Sequence, residues 1–254
     1  MTKIILSGCN GRMGRSISRI VEGTEDAEIV CGFDIDETQS DSYPVFSDYE
    51  KFTGTADVVI DFSNPANFEK ILAFAKARKM AVVLATTGLS AQQRQELDAA
   101  AAEIPVFFSA NMSVGVNLVI ELAARAAALL SESFDIEIIE KHHNQKLDAP
   151  SGTALAIADA VCESVSAPHE YVYDRHSVRK KRDKNEIGIH AVRGGTIVGE
   201  HEVLFAGKDE VITISHSASS REVFAEGAVR AARFMTGKPA GFYNMKSLVA
   251  LFQN

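Results

Sequence analysis

The chain opens on a strand-like run, Lys3-Ile4-Ile5-Leu6-Ser7, which passes through Gly8-Cys9-Asn10-Gly11-Arg12-Met13-Gly14 into the helical pattern Arg15 to Glu22. No other feature restricts the possible folds as much. Glycines at a strand-to-helix turn let the backbone bend tightly and approach a pyrophosphate, which then sits on the helix N-terminus. The spacing is G-x-x-G-x-x-G rather than G-x-G-x-x-G, so the surroundings must distinguish a dinucleotide turn from a glycine turn without function. Glu28-Ile29-Val30-Cys31-Gly32-Phe33 reads as the second strand, and Asp34 stands at its end. An acidic residue about 20 positions past the glycines is the group that meets the ribose hydroxyls of a dinucleotide. No Gly-Lys-Ser/Thr follows, which excludes a P-loop. Dinucleotide binding is therefore the expected role.

Strand and helix patterns continue to alternate. Asp57 to Phe62 is a short buried-type strand, and Asn64-Pro65 is a helix start with a capping side chain and Pro at the first helical position. Phe68, Ile71, Leu72 and Ala75 recur at helical spacing. A strand from Ala81 to Thr87 precedes Gly88, a helix from about Ser90 follows, and Pro105 to Ser109 is the next strand. This succession predicts a parallel sheet with helices on both faces, an α/β, Rossmann-like domain over residues 1–113.

The character changes after Asn111. A long apolar helix from Val114 to Leu130 leads into Phe134 to Ile139, which alternates with a period near two. Ile187 to Val192, Ile197 to Phe205 and Glu210 to His216 read as further strands, separated by Gly194-Gly195 and Gly207. Short glycine turns between strands imply antiparallel or mixed pairing, hence a second, α+β domain with a mixed sheet over 114–221. Arg221 to Met235 is helical, and 222–254 is expected to return to the first domain.

The densest chemistry lies in Glu140-Lys141-His142-His143-Asn144-Gln145-Lys146-Leu147-Asp148-Ala149-Pro150-Ser151-Gly152-Thr153. It enters as a strand and leaves as a helix, with Ser151 and Thr153 as candidate N-caps before the apolar run Ala154 to Val161. The unpaired amides and positive dipole of a helix start form an anion site. A proton donor, His142, and a second cation, Lys146, stand just before it. A His-His pair can equally be structural; the nearby lysine and the Pro-Ser-Gly-Thr turn favour function.

Other features point elsewhere less strongly. The basic run Arg179 to Lys184 has a solvated face as its default reading, and Arg193-Gly194-Gly195 reads as a turn whose arginine could reach a neighbouring site. The remaining histidines show no metal spacing, so no metal is expected. The net charge of −8 argues against nucleic acid, which would need a basic footprint. Three cysteines in no metal or disulfide spacing fit reduced thiols in the cytoplasm. No apolar run approaches the roughly 18 residues of a membrane helix, and Met1 leads straight into a strand, so no membrane association and no signal peptide are expected.

Taken together, Gly8 to Gly14, Thr86-Thr87-Gly88, Ser109-Ala110-Asn111-Met112-Ser113-Val114-Gly115-Val116-Asn117, Glu140 to Thr153, Arg193-Gly194-Gly195 and Val198-Gly199-Glu200-His201 closely resemble the bacterial dihydrodipicolinate reductases of lysine and diaminopimelate biosynthesis. The likeness runs in order along the whole chain, and the His-His…Lys…Asp-Ala-Pro-Ser-Gly-Thr segment is its most specific part. The resemblance implies hydride transfer from a nicotinamide cofactor to a cyclic, conjugated imine dicarboxylate, with loss of water from the hydroxylated precursor. It assigns His142 as proton donor or acceptor and Lys146 as proton donor, with His143, Gly152 and Thr153 binding substrate. Cofactor contacts would fall at Gly8, Cys9, Asn10, Gly11, Arg12, Met13, Asp34, Ala85, Thr86, Thr87, Ser109, Ala110, Asn111 and Met112. It further implies a homotetramer built through the sheet of the second, substrate-binding domain.

The chain departs from the family at two points. Ala85 stands where relatives often have Gly, and Ile35 where some place an Arg beside the ribose acid. The second departure leads to an expected preference for NADH, with NADPH still usable. Two other functions share the N-terminal sheet: a reductase of another amino-acid-like anion, and a non-catalytic dinucleotide sensor. Neither has a use for His142 together with Lys146.

Overall fold

The computed structural model describes residues 1–86 and 88–250, and the chain divides into two compact units. One comprises Met1–Val114 with the segment from Glu222 onward, and the other is Gly115–Arg221. The first unit alternates β1 (Thr2–Ser7), α1 (Arg12–Glu22), β2 (Ala27–Phe33), β3 (Val45–Phe46), β4 (Val58–Asp61), α2 (Phe68–Ala77), β5 (Ala81–Leu84), α3 (Ala91–Ala100) and β6 (Pro105–Phe108). Asn64 caps a single 3-10 turn, Pro65–Asn67, that precedes α2, and Ser90 and Gln93 form a capping box at the start of α3. α1 begins at Arg12, three residues before the periodic apolar pattern, with Gly11 as its N-cap. Thr87, the expected end of the β5 run, lies outside the described residues, and β5 itself ends at Leu84.

α4 (Val114–Leu130) carries the chain into the second unit, which contains β7 (Asp135–His142), α5 (Gly152–Ser164), β8 (Glu170–Val172), β9 (Glu186–Arg193), β10 (Gly199–Ala206) and β11 (Val211–Ala218). The chain then returns to the first unit as α6 (Glu222–Met235), β12 (Gly241–Tyr243) and α7 (Met245–Val249).

The sheet of the first unit has the order β12-β6-β5-β4-β1-β2-β3, and every pairing in it is parallel. Both faces of its central strands are covered, so β4 and β5 are buried at every position, as an all-parallel sheet demands. Alternate residues feed two cores. Ile4, Val58, Ile60 and Val83 pack with α1 and α6, whereas Ile5, Val59, Val82 and Leu84 pack with α2 and α3. α6 lies very close to the chain at Met112, since a Cβ on Gly227 would come within 1.7 Å of the Met112 carbonyl oxygen. Strand order reverses between β1 and β4, which makes the C-terminal ends of these strands the switch point where such sheets bind ligands. The architecture is a Rossmann-like α/β unit joined in sequence to a unit with a mixed sheet.

The second sheet has the order β11-β10-β7-β9-β8. β7 pairs antiparallel with β10 and parallel with β9, so the predicted mixed sheet is present. The connection at Gly194-Gly195 is not a hairpin, however. β9 and β10 flank β7, and the loop between them hooks over its end, with Gly194 N–H donating to the His142 carbonyl and Asn144 N–H to that of Gly195. One face of β7 (Ile136, Ile138) packs with Val119, Ala123 and Ala127 of α4 and with Ile157, Ala158 and Val161 of α5.

The basic run is also more than a solvated face. Arg182 bonds Asp135, Glu137 and the carbonyls of Ile136 and Glu186, and Lys184 bonds the Phe134 carbonyl. These side chains fasten the loop before β9 to the start of β7. Among the described residues no helix is long and apolar enough to cross a membrane.

Candidate active site

The glycine turn is built by a conformation that only glycine adopts without strain. Gly8 has φ +78°, and a Cβ there would stand 2.8 Å from the Phe62 carbonyl oxygen at the end of β4. Gly8 N–H donates to the Phe33 carbonyl, which locks the turn to the end of β2. Asp34 follows immediately. One of its carboxylate oxygens accepts the Asn10 amide at 2.9 Å and the other the Asp36 amide at 3.2 Å. The expected ribose acid is thus braced against the glycine turn, with lone pairs left for hydroxyl donors.

A cavity of about 410 Å³ opens here, bordered by Gly8, Gly11, Asp34, Ile35 and Tyr49. A second, of about 360 Å³, is lined by Met13, Ala85, Thr86, Ala110, Asn111 and Met112, and both are bordered by Phe62 and Ser63. Most of the sequence-predicted cofactor positions therefore gather at the C-terminal ends of β1, β2, β5 and β6. Ser109 lies at the same sheet end, its hydroxyl donating to the Asn111 carbonyl. Cys9 faces inward and is buried, its thiol pushed up to about 11 chiefly by burial, so it can offer only backbone to a ligand. Arg12 is exposed.

Sequence reasoning missed Asp61. This carboxylate, 1% exposed, accepts the Thr86 hydroxyl and the Ser63 hydroxyl, both at 2.6 Å. It ties the turns after β4 and β5 together through Ser63 and Thr86, which line the second cavity. An aspartate ending the apolar strand Val-Val-Ile-Asp was the available signal.

In the second unit, burial alternates along β7 so that Glu140 and His142 share the inward face of Ile136 and Ile138. Ser151 caps α5, its hydroxyl accepting the Ala154 amide, whereas Thr153 lies inside the first turn. Gly152 and Thr153 are thus the first two helical residues, at the positive end of the helix dipole. Lys146 Nζ stands 2.9 Å from Asp148 Oδ1, an ion pair that holds the Asp148 carboxyl below its usual range. His143 is half-buried just past the end of β7, and its carbonyl accepts the Lys146 amide.

Three further groups complete this cluster. The Glu140 carboxylate is fully buried and accepts both Arg193 guanidinium arms, His142 Nδ1 and the Ser151 amide. Burial pushes the Glu140 carboxyl up, but those donors outweigh it and hold the group below the usual carboxylate value. The His201 ring meets that of His142 edge-on at 5.2 Å and lies 3.0 Å from the Ser151 hydroxyl.

Residues 2–112 match the family described as dihydrodipicolinate reductase, N-terminus, and residues 115–249 match dihydrodipicolinate reductase, C-terminus. The chain belongs to the dihydrodipicolinate reductase family. Among its relatives, a 4-hydroxy-tetrahydrodipicolinate reductase of Caldanaerobacter subterraneus subsp. tengcongensis is 52% identical over 98% of each chain. One of Clostridium novyi is 49% identical over the same share of both. Among solved structures, a dipicolinate-bound dihydrodipicolinate reductase from Paenisporosarcina sp. TG-14 superposes with a TM-score of 0.81 at 26% identity, covering 96% of this chain and 97% of that one.

This family member should lose stability in acid through His201. Burial, followed by the neighbouring His142, lowers its value from 6.5 to about 4. Between those limits the unfolded chain binds a proton that the folded chain refuses. Stability therefore falls as pH drops through this window, by at most about 1.4 kcal/mol per pH unit. His201→Gln is expected to flatten the pH dependence of the urea midpoint across that window by about one proton. An unchanged slope would assign the acid sensitivity to other groups.

Proposed function

We propose that this chain reduces 4-hydroxy-tetrahydrodipicolinate to tetrahydrodipicolinate with loss of water, in lysine and diaminopimelate biosynthesis. The observation that carries the reading is the buried brace at the end of β7: Glu140 accepts His142 Nδ1, the Ser151 amide at the α5 cap and Arg193. Arg193 in turn bonds the carbonyl of Asp148, the ion-pair partner of Lys146. A nicotinamide cofactor, when bound, supplies the hydride. Gly8 to Met13, Asp34, Ala85 to Thr87 and Ser109 to Met112 are its proposed contacts, the glycine-turn amides taking the pyrophosphate.

Hydride arriving at carbon of a conjugated imine raises electron density at nitrogen. The Lys146 ammonium supplies the proton there, and His142 serves as a second acid or base. The helix start at Gly152 and Thr153 suits a substrate carboxylate, with His143 as a further proposed substrate contact. Asp148 holds the Lys146 ammonium in place and leaves it two further N–H donors. Oxidation of NADH that depends on the cyclic imine tests the whole reading. Its absence would leave a reductase of another anion, or a dinucleotide sensor.

The proposed cofactor preference follows from charge. Asp34 can accept both ribose hydroxyls and repels a 2′-phosphate, and Ile35, 99% exposed, offers no countercharge. Arg12 could offset part of this. Screening limits an exposed like-charge penalty to about 1 kcal/mol, so a roughly fivefold preference for NADH in kcat/KM is expected, with NADPH usable. Measuring both ratios at low and physiological salt checks it. A clear NADPH preference at both would overturn the role of Asp34.

We further propose a homotetramer assembled through the outward face of the second sheet, and a cytoplasmic location. The first draws support from the partly exposed Lys141–Glu200–Glu202 cluster on that face, and the second from the three free cysteines.

A further inference from the structure

Glu140 has no room for a second function of its own: its carboxylate, 0% exposed, spends every contact on donors. Oε2 accepts His142 Nδ1 and Arg193 Nη1, both at 2.7 Å, while Oε1 accepts Arg193 Nη2 at 2.7 Å and the Ser151 amide at 3.0 Å. An ionised carboxylate is acceptor-only, so each of these neighbours must bring a hydrogen. For His142 this fixes the tautomer: Nδ1 carries the proton and Nε2 is left as the nitrogen that can gain or give one. On the Nε2 side stands Gly199, where a Cβ would come within 3.1 Å of that nitrogen. Arg193 extends the same brace. Its Nη2 also donates to the Asp148 carbonyl at 2.7 Å, and the Asp148 side chain holds Lys146.

We propose that Glu140 and Arg193 are positioning residues for the reduction: Glu140 sets His142 as the Nδ1–H tautomer with Nε2 working, and Arg193 ties the Lys146–Asp148 loop to the same buried point. One carboxylate then fixes the orientation of the histidine, the Ser151 amide at the α5 cap and, through the arginine, the lysine loop. A buried carboxylate of this kind is stable only because the bidentate guanidinium and two further N–H groups replace its water. The inference rests on the reductase reading above.

The test is Glu140→Gln, read by the imidazole ¹⁵N shifts of His142 and by steady-state kinetics. An amide has a single acceptor oxygen, which Arg193 Nη2 and the Ser151 amide claim, and Arg193 Nη1 keeps only the Val192 carbonyl. Its NH₂ then faces His142 Nδ1 and donates to it, moving the histidine proton to Nε2. The parent protein should show neutral His142 protonated at Nδ1, a measurement that requires no variant to fold. In Glu140→Gln the proton should move to Nε2, with kcat lower by about 10- to 100-fold and the NADH KM within about a factor of two. Arg193→Lys keeps the charge but loses the fork. It should slow turnover about tenfold with the His142 tautomer unchanged. Protonation at Nε2 in the parent, a lowered kcat without tautomer change in Glu140→Gln, or normal turnover in either variant overturns the proposal. Absence of imine-dependent NADH oxidation in the parent protein would remove the function reading itself, which separates the two failures.

Discussion

Lys146→Ala is expected to lower turnover by about two orders of magnitude or more, the scale on which a general acid contributes. NADH affinity should barely change, because the glycine turn and Asp34 belong to the other unit. The ammonium is 21% exposed and stands 2.9 Å from an Asp148 carboxylate that is itself 58% exposed. A pair so open to water contributes at most about 1 kcal/mol to stability, so the variant should melt close to the parent. That separation makes the experiment informative: a large loss in kcat with intact folding and intact NADH binding belongs to chemistry, not to structure. Turnover near the parental value, measured at saturating substrate and cofactor, would remove Lys146 from the proton path.

Features visible in the sequence were those whose cause is local. The strand, glycine turn and helix from Thr2 to Glu22 follow from adjacent residues, as do the Asn64 and Ser90 starts and the Ser151 cap of α5. The parallel sheet was legible because apolar strands alternating with helices have few other packings. Pairings set by distant residues were not. β9 and β10 are consecutive in the chain, so Gly194-Gly195 reads as a turn between neighbours, yet β7 lies between them.

The same non-locality hid the brace at the candidate site. Glu140 looks like one more polar residue on an alternating strand until Arg193, on a strand paired with β7, supplies its counterion. Arg182 disappears in a run of surface charge because its partners, Asp135 and Glu137, lie on the same distant strand. β3, β8 and β12 span two or three residues each, too few to show any period. α1 begins before its periodic apolar pattern does, because its first turn holds Gly14, which carries no apolar signal.

That glycine should be the least replaceable residue of the turn, and Gly14→Ala is expected to cost both stability and cofactor binding. Within a helix, alanine is intrinsically favoured over glycine by about 1 kcal/mol. Here the added Cβ would stand 2.2 Å from the Gly8 carbonyl oxygen and 2.4 Å from that of Cys9. Both are backbone atoms, so no side chain can rotate away and the turn itself must move. Overpacking of this kind costs about 1–3 kcal/mol and outweighs the propensity gain. Displacing Gly8 and Cys9 also disturbs the neighbouring Asn10, whose amide holds Asp34. NADH affinity should therefore fall at least about tenfold, or 1.4 kcal/mol, together with a lower melting temperature. Titrating NADH into the folded variant well below its melting point separates the two effects. Parental affinity there would mean that the turn moves without touching the cofactor, and the glycine turn would lose its assigned role.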